Sequence, residues 1–447
     1  MRLFSSIASA LLVASTTHAL DIDVSSSDSI SNAAKAVAKG LMANYTGDQK
    51  GQIPGIFTSK PPAQKGSSGE YFWWSFGAIF DAMVDYQYYT GDGQYNNAVQ
   101  QALLWQVGPS DDYLPPNQTT SEGNDDQTTW GFAAMTAAER NFSAPPSGSP
   151  SWLKIAQNVF DDQAGRWDKE TCKGGLRWQI FTFNSGYNYK NTIANGQFLQ
   201  LAARLYAQTG NQTYATWAEE VYTWAQSVGL VNEDGSVYDG AQTEDDCSQI
   251  NRIQFSMNSG VWLYGSAVMA NATKGSRSWT LRAQSILNHA SSIYLNDSII
   301  VETACENTDA CTQDQHFYKG AFARDLARTV EAMPSTADTI KPILQTNAKA
   351  AAQVGCKNAD NCVFVWTAAK NDEGSDLGSQ FSALQVIQSN LVSQAKATAN
   401  TSSSDSGSGS DSGSSNTSSS ASGTASGTTG GTAAPTGAAS LVLRLGS

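Results

Sequence analysis

Histidine is scarce in this chain of 447 residues, which contains only three. His18 lies in an apolar N-terminal run, so a folded domain has only His289 and His316 to use. Neither follows a nucleophile-elbow pattern, and no HExxH motif occurs. No glycine-rich phosphate-binding loop is recognisable at a strand–helix junction either. The sequence therefore disfavours a Ser-His-Asp triad, a histidine zinc site and nucleotide chemistry, and we expect no cofactor and no metal.

Cysteine is limited to six residues, an even number that suits a disulfide-bonded secreted protein. CENTDAC and CKNADNC each close a short loop, although six cysteines allow fifteen connectivities. With the thiols oxidised, a cysteine nucleophile is not expected. The favoured pairs are Cys305–Cys311, Cys356–Cys362 and, by elimination, Cys172–Cys247.

Both ends of the chain differ from its middle. Residues 1–19, MRLFSSIASALLVASTTHA, have the basic start, apolar run and small-x-small end of a secretory signal. Residues 397–447 are rich in Ser, Gly and Thr, which predicts a disordered, glycosylated stalk. The last residues, TGAASLVLRLGS, are a poor signal for a glycolipid anchor because the apolar run is short and contains Arg444. We expect one folded domain over 20–396 in a secreted, cell-surface or cell-wall protein.

The charge and the glycosylation sequons agree with this location. A net charge of −13 argues against nucleic acid or an anionic membrane as partner. Eight Asn-x-Ser/Thr sequons occur, as in glycosylated secretory proteins. Those in the folded region are Asn44, Asn117, Asn141, Asn211, Asn271 and Asn296, and those in the stalk are Asn400 and Asn416.

Strand patterns are sparse, and long apolar-periodic segments recur instead. TGDGQY at 90–95 and TGNQTY at 209–214 each separate two predicted helices, the second of which starts with an aromatic residue. Weaker copies lie at 151–160 and 278–287, so the repeat is about 60 residues and six copies fill the domain. Such hairpins form either an open solenoid or a closed barrel. The small-residue segments GFAAMTAAE, NGQFLQLAARL and MNSGVWLYGSAVMA are predicted inner helices. The aromatic markers are Tyr95, Trp152, Trp217 and Trp279.

The residue types that remain abundant, Asp, Asn, Gln, Trp and Tyr, suit a sugar substrate. Glycoside cleavage uses two carboxyl groups, and GNDDQTTW places Asp125 beside Asp126 at the start of a predicted buried helix. Adjacent carboxylates ~5 Å apart repel by roughly 3 kcal/mol, so one of them stays protonated. That spacing favours a retaining mechanism. The alternative is an ordinary helix start, where Asp accepts backbone N–H bonds.

Asp-Asp pairs occur at three other places, which weakens the argument from any single pair. Residues 111–112 lie in a proline-containing loop, 161–162 at a helix end, and 245–246 beside a cysteine, where they could line a cleft. The pair at 125–126 differs because Gly123 precedes it and Trp130 follows one turn later.

Five motifs in this order resemble the fungal branch of glycoside hydrolase family 76: YFWWSFGAIFDAMVDYQYYTGD, GNDDQTTWGFAAMTAAE, YKNTIANGQFLQLAARLY, VYDGAQ and FSMNSGVWLYG. The resemblance covers about residues 22–395. It implies an all-α fold, an (α/α)6 barrel of six helical hairpins. It implies a retaining endo-α-1,6-mannosidase or transglycosylase, with Asp125 as nucleophile and Asp126 as general acid/base. It also implies a role in joining the glycans of lipid-anchored proteins to wall β-glucan, and we expect a monomer.

Further residues are candidates for contact with sugar. Trp73, Trp74 and Trp130 either stack on pyranose rings or pack in the core. Four polar residues at presumed inner-helix ends bind either mannose hydroxyls or the backbone: Asn191, Asn195, Asp239 and Asn258. Lys190 is interpreted as a solvated loop charge.

Two other functional classes remain open. One is a non-catalytic mannan-binding wall protein on the same barrel, which would have no need of two coupled acids. The other is a uronate lyase, which would need a basic cleft that this acidic chain does not offer.

Overall fold

A computed structural model describes residues 20–57, 71–120, 122–367 and 375–392 of the chain. The predicted signal segment 1–19, the predicted stalk 397–447 and the sequons at Asn400 and Asn416 lie outside these ranges. Within the described ranges, no helix is both long and apolar enough to cross a bilayer.

Twelve α-helices occur in the described part of the chain, and they alternate between an inner and an outer layer. The inner helices are α2 (Trp73–Thr90), α4 (Asn124–Glu139), α6 (Thr192–Thr209), α8 (Ser256–Ala272), α10 (Tyr318–Ala332) and α12 (Leu377–Gln388). The outer helices are α1 (Ser27–Met42), α3 (Asn96–Trp105), α5 (Trp152–Gly165), α7 (Gln212–Val228), α9 (Arg277–Ile293) and α11 (Ala337–Ala350).

The inner helices form a closed ring. Each packs against the next in the order α2, α4, α6, α8, α10, α12, and α12 returns to α2. Helix α1 packs against α12, so the sixth hairpin is assembled from the two ends of the domain. Each outer helix runs back along its inner partner, and all six inner helices therefore begin at the same end, here called the mouth. The (α/α)6 barrel is confirmed, and the solenoid is wrong.

The inner helices are buried on nearly every side, as their small and aromatic residues predict. The three segments predicted as inner helices lie in α4, α6 and α8. Two of the predicted turns contain a left-handed glycine that ends the inner helix, Gly91 at φ 68° and Gly210 at φ 69°. Helix α7 starts at Gln212, before the aromatic residue, because the side chain of Asn211 caps it.

The aromatic markers all lie in, or immediately before, outer helices. Tyr95 immediately precedes α3, Trp152 opens α5, and Trp279 lies in the first turn of α9. Trp217 lies one turn further in, within α7. The sequence repeat therefore predicts the positions of these outer helices correctly, except that Trp217 lies within its helix and not at the start.

The disulfides have the favoured connectivity. Bridges join Cys305 to Cys311 and Cys356 to Cys362, and the third closes a sequence separation of 75 residues. The third pair is Cys172–Cys247. All six described sequon asparagines are exposed, which keeps them as predicted glycosylation sites.

A small antiparallel sheet lies beside the mouth, formed by β1 (Tyr189–Asn191), β2 (Gly240–Gln242) and β3 (Ile250–Asn251). Lys190 pairs with Ala241 in its register. Because β1 leads directly into α6, this sheet fixes the loops around that side of the mouth. Two strand pairs lie elsewhere: β4 (Leu295–Asn296) with β5 (Ile299–Ile300), and β6 (Cys356–Asn358) with β7 (Asn361–Cys362).

The far end of the barrel is closed by buried ion pairs. Asp85 of α2 accepts from Arg140 (3.1 Å), Arg324 (2.7 Å) and Arg328 (3.3 Å), which belong to or directly follow α4 and α10. A buried carboxylate is tolerated only when it is paired in this way. The network therefore ties α2, α4, α6 and α10 together. Its other members are Asp81, Glu139, Arg204 and Glu331.

Candidate active site

The adjacent aspartates lie in the first turn of α4, at the mouth of the barrel. Asp126 Oδ2 accepts a 2.7 Å hydrogen bond from the backbone N–H of Gly123. Asp125 Oδ2 accepts a 2.9 Å bond from the indole N–H of Trp178. Its other oxygen, Oδ1, is buried without a hydrogen-bond partner among the described residues. Asp126 thus behaves partly as a helix-start residue, whereas Asp125 is oriented by a side chain from a distant segment.

The segment that carries Trp178 is fastened to the start of α4 through Asn124. Its backbone N–H donates to the carbonyl oxygen of Trp178, and its side-chain amide donates to that of Arg177, both at 2.8 Å. From α5 and its end, Gln163 donates to the carbonyl oxygen of Asn124 and Arg166 donates to its Oδ1, again at 2.8 Å. These bonds hold the indole and the aspartates in one rigid arrangement.

Gly123 brings the two carboxyl groups close together. A Cβ atom at this position would lie 2.2 Å from Asp125 Oδ1 and 2.8 Å from Asp126 Oδ2. The two oxygens are therefore within about 5 Å of each other, which matches retaining glycosidases (about 5–5.5 Å) better than inverting ones (about 6.5–9.5 Å). Any larger residue at position 123 would displace at least one carboxyl group.

Burial makes both aspartates weak acids. It raises the pKa of Asp125 to about 7, against the bond from Trp178, which lowers it. Burial raises the pKa of Asp126 well above its usual range, and the negative charge of Asp125 raises it further. Asp125 is thus the first of the pair to ionise, while Asp126 retains its proton.

A third acid faces the pair from the start of α10. Asp314 accepts a 3.2 Å bond from the indole N–H of Trp74, and burial raises the pKa of its carboxyl to about 6. Its charge raises the pKa values of both Asp125 and Asp126. Sequence analysis missed Asp314 because nothing in its local pattern sets it apart. Over the described residues, no three His, Cys, Asp or Glu side chains are placed to hold a metal ion.

A groove of about 650 Å³ begins at Trp178 and runs beside the small sheet. Asp239 lies in its wall and accepts from the hydroxyl of Tyr189 (2.6 Å) and the amide of Asn251 (2.9 Å). Loop residues 182–189 add further amides and hydroxyls. Aromatic rings combined with neutral hydrogen-bonding groups suit sugar hydroxyls and ring faces.

The three candidate tryptophans have different positions. Trp74 is half-buried at the mouth. Trp73 and Trp130 are 4% and 0% exposed and stack on each other with centroids 5.2 Å apart. The indole of Trp73 donates to Gln106, and that of Trp130 donates to the carbonyl oxygen of Trp73. Their contacts favour the packing alternative for these two.

The candidate asparagines are likewise engaged by the scaffold. The side chain of Asn191 caps α6, and Asn195 exchanges two hydrogen bonds with the backbone of Leu176. The amide of Asn258 donates to the hydroxyl of Thr192 at 3.0 Å. All three side chains are buried, so Asp239 is the predicted polar residue that the structure places on the groove.

The interpretation of Lys190 as a solvated charge is wrong. Its side chain is buried, and Nζ donates to three backbone carbonyl oxygens, those of Asp168 (3.0 Å), Thr171 (2.7 Å) and Gly174 (2.7 Å). Burial lowers the pKa of this amine to about 8. The error arose because the loop 168–174 folds over the lysine, which no local pattern reveals.

The other aspartate pairs do not line the groove. Asp112 is buried in the loop before α4, and burial, followed by the charge of Asp162, raises its pKa to about 6. Asp246 accepts a 2.6 Å bond from the backbone N–H of Cys172 and so holds the long disulfide loop. The pair at 245–246 is thus adjacent in sequence to the groove residue Glu244 but is not part of the groove lining.

The family model for glycosyl hydrolase family 76 matches residues 29–402. The chain belongs to this family. It is 43% identical over 375 residues to the mannan endo-1,6-alpha-mannosidase DCW1 of Saccharomyces cerevisiae, covering 83% of this chain and 81% of that protein. It is 42% identical to the mannan endo-1,6-alpha-mannosidase DFG5 of the same yeast, covering 85% and 82%. The resemblance drawn from the motifs is confirmed, and the family 76 chain is a glycosidase.

Solved structures show the same barrel. Dfg5 from Chaetomium thermophilum, in complex with glucosamine, matches with a TM-score of 0.78 at 41% identity, covering 83% of this chain and 92% of that one. An inactive variant of the alpha-1,6-mannanase GH76A of Salegentibacter, in complex with alpha-1,6-mannotriose, matches with a TM-score of 0.65 at 17% identity. That match covers 81% of this chain and 99% of the mannanase, and it supports the fold alone.

Proposed function

We propose that this family 76 member is a retaining endo-α-1,6-mannosidase or transglycosylase, with Asp125 as nucleophile and Asp126 as general acid/base. The observation that supports the proposal most strongly is that the two acids differ in hydrogen bonding and in pKa. Asp125 accepts an indole N–H on Oδ2 and ionises first, whereas Asp126 has the higher pKa. A nucleophile has to be ionised, and an acid has to hold a proton at the same pH.

The reaction takes two steps. A carboxylate oxygen of Asp125 attacks the anomeric carbon of a mannose while Asp126 gives its proton to the departing glycosidic oxygen. The C–O bond to the leaving sugar breaks, and an ester to Asp125 forms. Asp126, now a carboxylate, then takes a proton from an incoming hydroxyl, which attacks the same carbon and releases Asp125. Water as acceptor gives hydrolysis, and a sugar hydroxyl gives transfer.

The substrate follows from the relatives. Both yeast proteins, at 43% and 42% identity, are named mannan endo-1,6-alpha-mannosidases. The groove of about 650 Å³ is lined by Trp178, whose indole bonds Asp125, and its size suits several sugar units of a chain. The neutral hydrogen-bonding groups and aromatic rings that line it suit mannose, and we assign α-1,6-linked mannose glycans as substrate on these grounds.

The biological setting is part of the proposal. We infer a secreted, glycosylated monomer at the cell surface or wall that acts on the glycans of lipid-anchored proteins, with wall β-glucan as acceptor. The exposed sequons and three disulfides support passage through an oxidising secretory pathway. Membrane attachment through a glycolipid depends on the C-terminal segment, which lies outside the described residues.

Product analysis tests the enzymatic claim. Incubation of the protein with α-1,6-mannotetraose should give shorter mannose oligomers, and added β-glucan oligosaccharide should give mixed products if transfer occurs. Asp125→Asn and Asp126→Asn should each abolish turnover and leave binding of the tetraose in place.

The alternative, a non-catalytic mannan-binding wall protein, predicts a different outcome. It requires that the wild type bind the tetraose without cleaving it, and that both variants still rescue the wall defect of a deletion strain. That pair of results would refute the enzymatic proposal.

A further inference from the structure

Asp314 connects two inner helices at the mouth of the barrel, α2 and the segment that leads into α10. It lies in the segment before α10, and it accepts from Trp74 in the first turn of α2 at 3.2 Å. Helix α12 packs against both α2 and α10. The Trp74–Asp314 bond lies at the end where the inner helices begin, the same end of the barrel as the catalytic pair.

The indole of Trp74 is held on two sides. Its N–H is fixed by Asp314, and Phe317 packs edge-on against it with ring centroids 5.4 Å apart. The side chain remains partly exposed, and it also lines a cavity of about 40 Å³ on the barrel axis together with Thr129, whose hydroxyl bonds the backbone of Asp125. Of the three candidate tryptophans, Trp74 thus has both an orienting partner and an accessible surface.

Several ionisable groups face the catalytic pair. The charge of Asp314 raises the pKa values of both Asp125 and Asp126. The charge of Glu122, in the segment before α4, raises the pKa of Asp126. Burial raises the pKa of Tyr318, at the start of α10, and the charges of Asp314 and Asp125 raise it further. The charges of Glu302 and Asp239 also raise the pKa of Tyr318. Asp314 differs from the others because it reaches both catalytic acids and is also bonded to a candidate sugar-binding ring.

We propose that Asp314 is a positioning residue with two separable effects: it holds Trp74 as a fixed platform for a sugar ring, and it places a charged carboxyl group at the mouth, the end of the barrel that holds the catalytic pair. The inference rests on the proposed function, since it needs a reaction whose pH dependence can be read. Because the two effects use different properties of one side chain, different substitutions separate them.

Asp314→Asn removes the charge but keeps an oxygen that accepts from the indole. The charge of Asp314 raises the pKa values of Asp125 and Asp126, so its removal should lower both. We expect the pH profile of kcat/KM to move to lower pH, with KM for α-1,6-mannotetraose unchanged. Asp338→Asn, an exposed acid in the first turn of α11, is the matched control and should leave the profile in place.

Asp314→Ala removes both the charge and the acceptor. It should shift the profile as Asp314→Asn does and also raise KM several-fold, because the indole loses its fixed orientation. Trp74→Phe, which keeps an aromatic ring but no N–H to fix it on Asp314, should raise KM. Melting curves show whether each variant is folded. If Asp314→Ala does not fold, Trp74→Phe still tests whether Trp74 is a platform for a sugar ring.

The outcomes divide cleanly. An unshifted profile for folded Asp314→Asn overturns the charge effect, and an unchanged KM for Trp74→Phe overturns the platform. If the wild type cleaves no mannose oligomer, the proposed function fails instead, and Asp125→Asn then shows no difference from it.

Discussion

The indole N–H of Trp178 donates a 2.9 Å hydrogen bond to Oδ2 of Asp125, whose Oδ1 has no hydrogen-bond partner among the described residues. The bond orients the carboxyl group and opposes the effect of burial on its pKa. A nucleophile needs both properties, because it must ionise in a dry site and be held in one orientation.

Trp178→Phe should slow the reaction and move its acidic limb to higher pH. A hydrogen bond to a charged group contributes about 1.5–3 kcal/mol, so we expect kcat to fall roughly 10- to 100-fold. Loss of the donor raises the pKa of Asp125, which must be ionised to attack. Trp152→Phe is the matched control because it loses a bond of the same 2.9 Å length, to the carbonyl oxygen of Ser143, away from the mouth. Equal effects of the two substitutions on kcat would contradict the assignment.

Gly123→Ala should inactivate the protein without unfolding it. The added methyl group would approach Asp125 Oδ1 to 2.2 Å, so the carboxyl group has to move, and displacements of about 1 Å can cost 100-fold in rate. Gly165→Ala is the control, since a Cβ there meets nothing within 4 Å. Activity assays and melting curves together separate displacement from unfolding. Wild-type activity in folded Gly123→Ala would show that the carboxyl positions are not critical.

Phe183→Ala should weaken binding of long oligomers more than short ones. Phe183 is 68% exposed, stacks on Phe181 with centroids 5.4 Å apart, and belongs to the loop that walls the groove. An exposed aromatic pair beside a sugar groove provides a ring-stacking surface distant from the aspartates. We expect KM to rise for mannohexaose and to stay constant for mannotriose. Leu281→Ala removes an exposed apolar side chain from outer helix α9 and should change neither value.

The far-end network should dominate stability and its dependence on acid. Asp85→Ala leaves three buried arginines without their shared partner, at a cost of about 3–5 kcal/mol. The arginines outweigh burial and lower the pKa of Asp85, and they lower that of Glu139 to about 2. Both groups therefore stabilise the fold above their unfolded pKa values of about 4, and that stabilisation is lost as the pH falls toward 2.

Thermal melts at pH 7 and pH 3 test whether the far-end network makes stability depend on acid. The wild type should lose more stability between the two pH values than Asp85→Ala, which has already lost one of the two acids. Asp338→Ala, at an exposed position, should follow the wild type. Parallel losses in the wild type and Asp85→Ala would contradict the role given to the network.

Local patterns were enough to predict the layers of the barrel and the disulfides. Inner helices need small residues where neighbouring helices pack closely. Segments such as GFAAMTAAE of α4 contain these small residues, so their place in the inner layer could be predicted. Closed short loops likewise brought Cys305 to Cys311. Positions set by distant segments were not predictable in this way. Lys190 is buried by a loop whose sequence precedes it by about twenty residues, and Asp314 meets Trp74 across 240 positions of sequence.

The same distinction explains the candidate site. Asp125 and Asp126 adjoin each other in sequence, so their pairing was visible without a structure. The partner that distinguishes them, Trp178, lies 53 residues away and was not predicted. Trp130 looked equally suitable for sugar, but only the packing of Trp73 and Gly77 around it shows that it is enclosed.

Trapping the covalent intermediate tests the central claim most directly. A fluorosugar donor built on α-1,6-mannobiose, with a fluoride leaving group that needs no proton, should form a slowly hydrolysed ester, and peptide mass spectrometry should locate it on Asp125. Asp126→Asn should still form this ester, because the leaving group makes the acid dispensable. An ester on any other residue, or steady turnover of the donor to product of inverted configuration without an ester, would contradict the account.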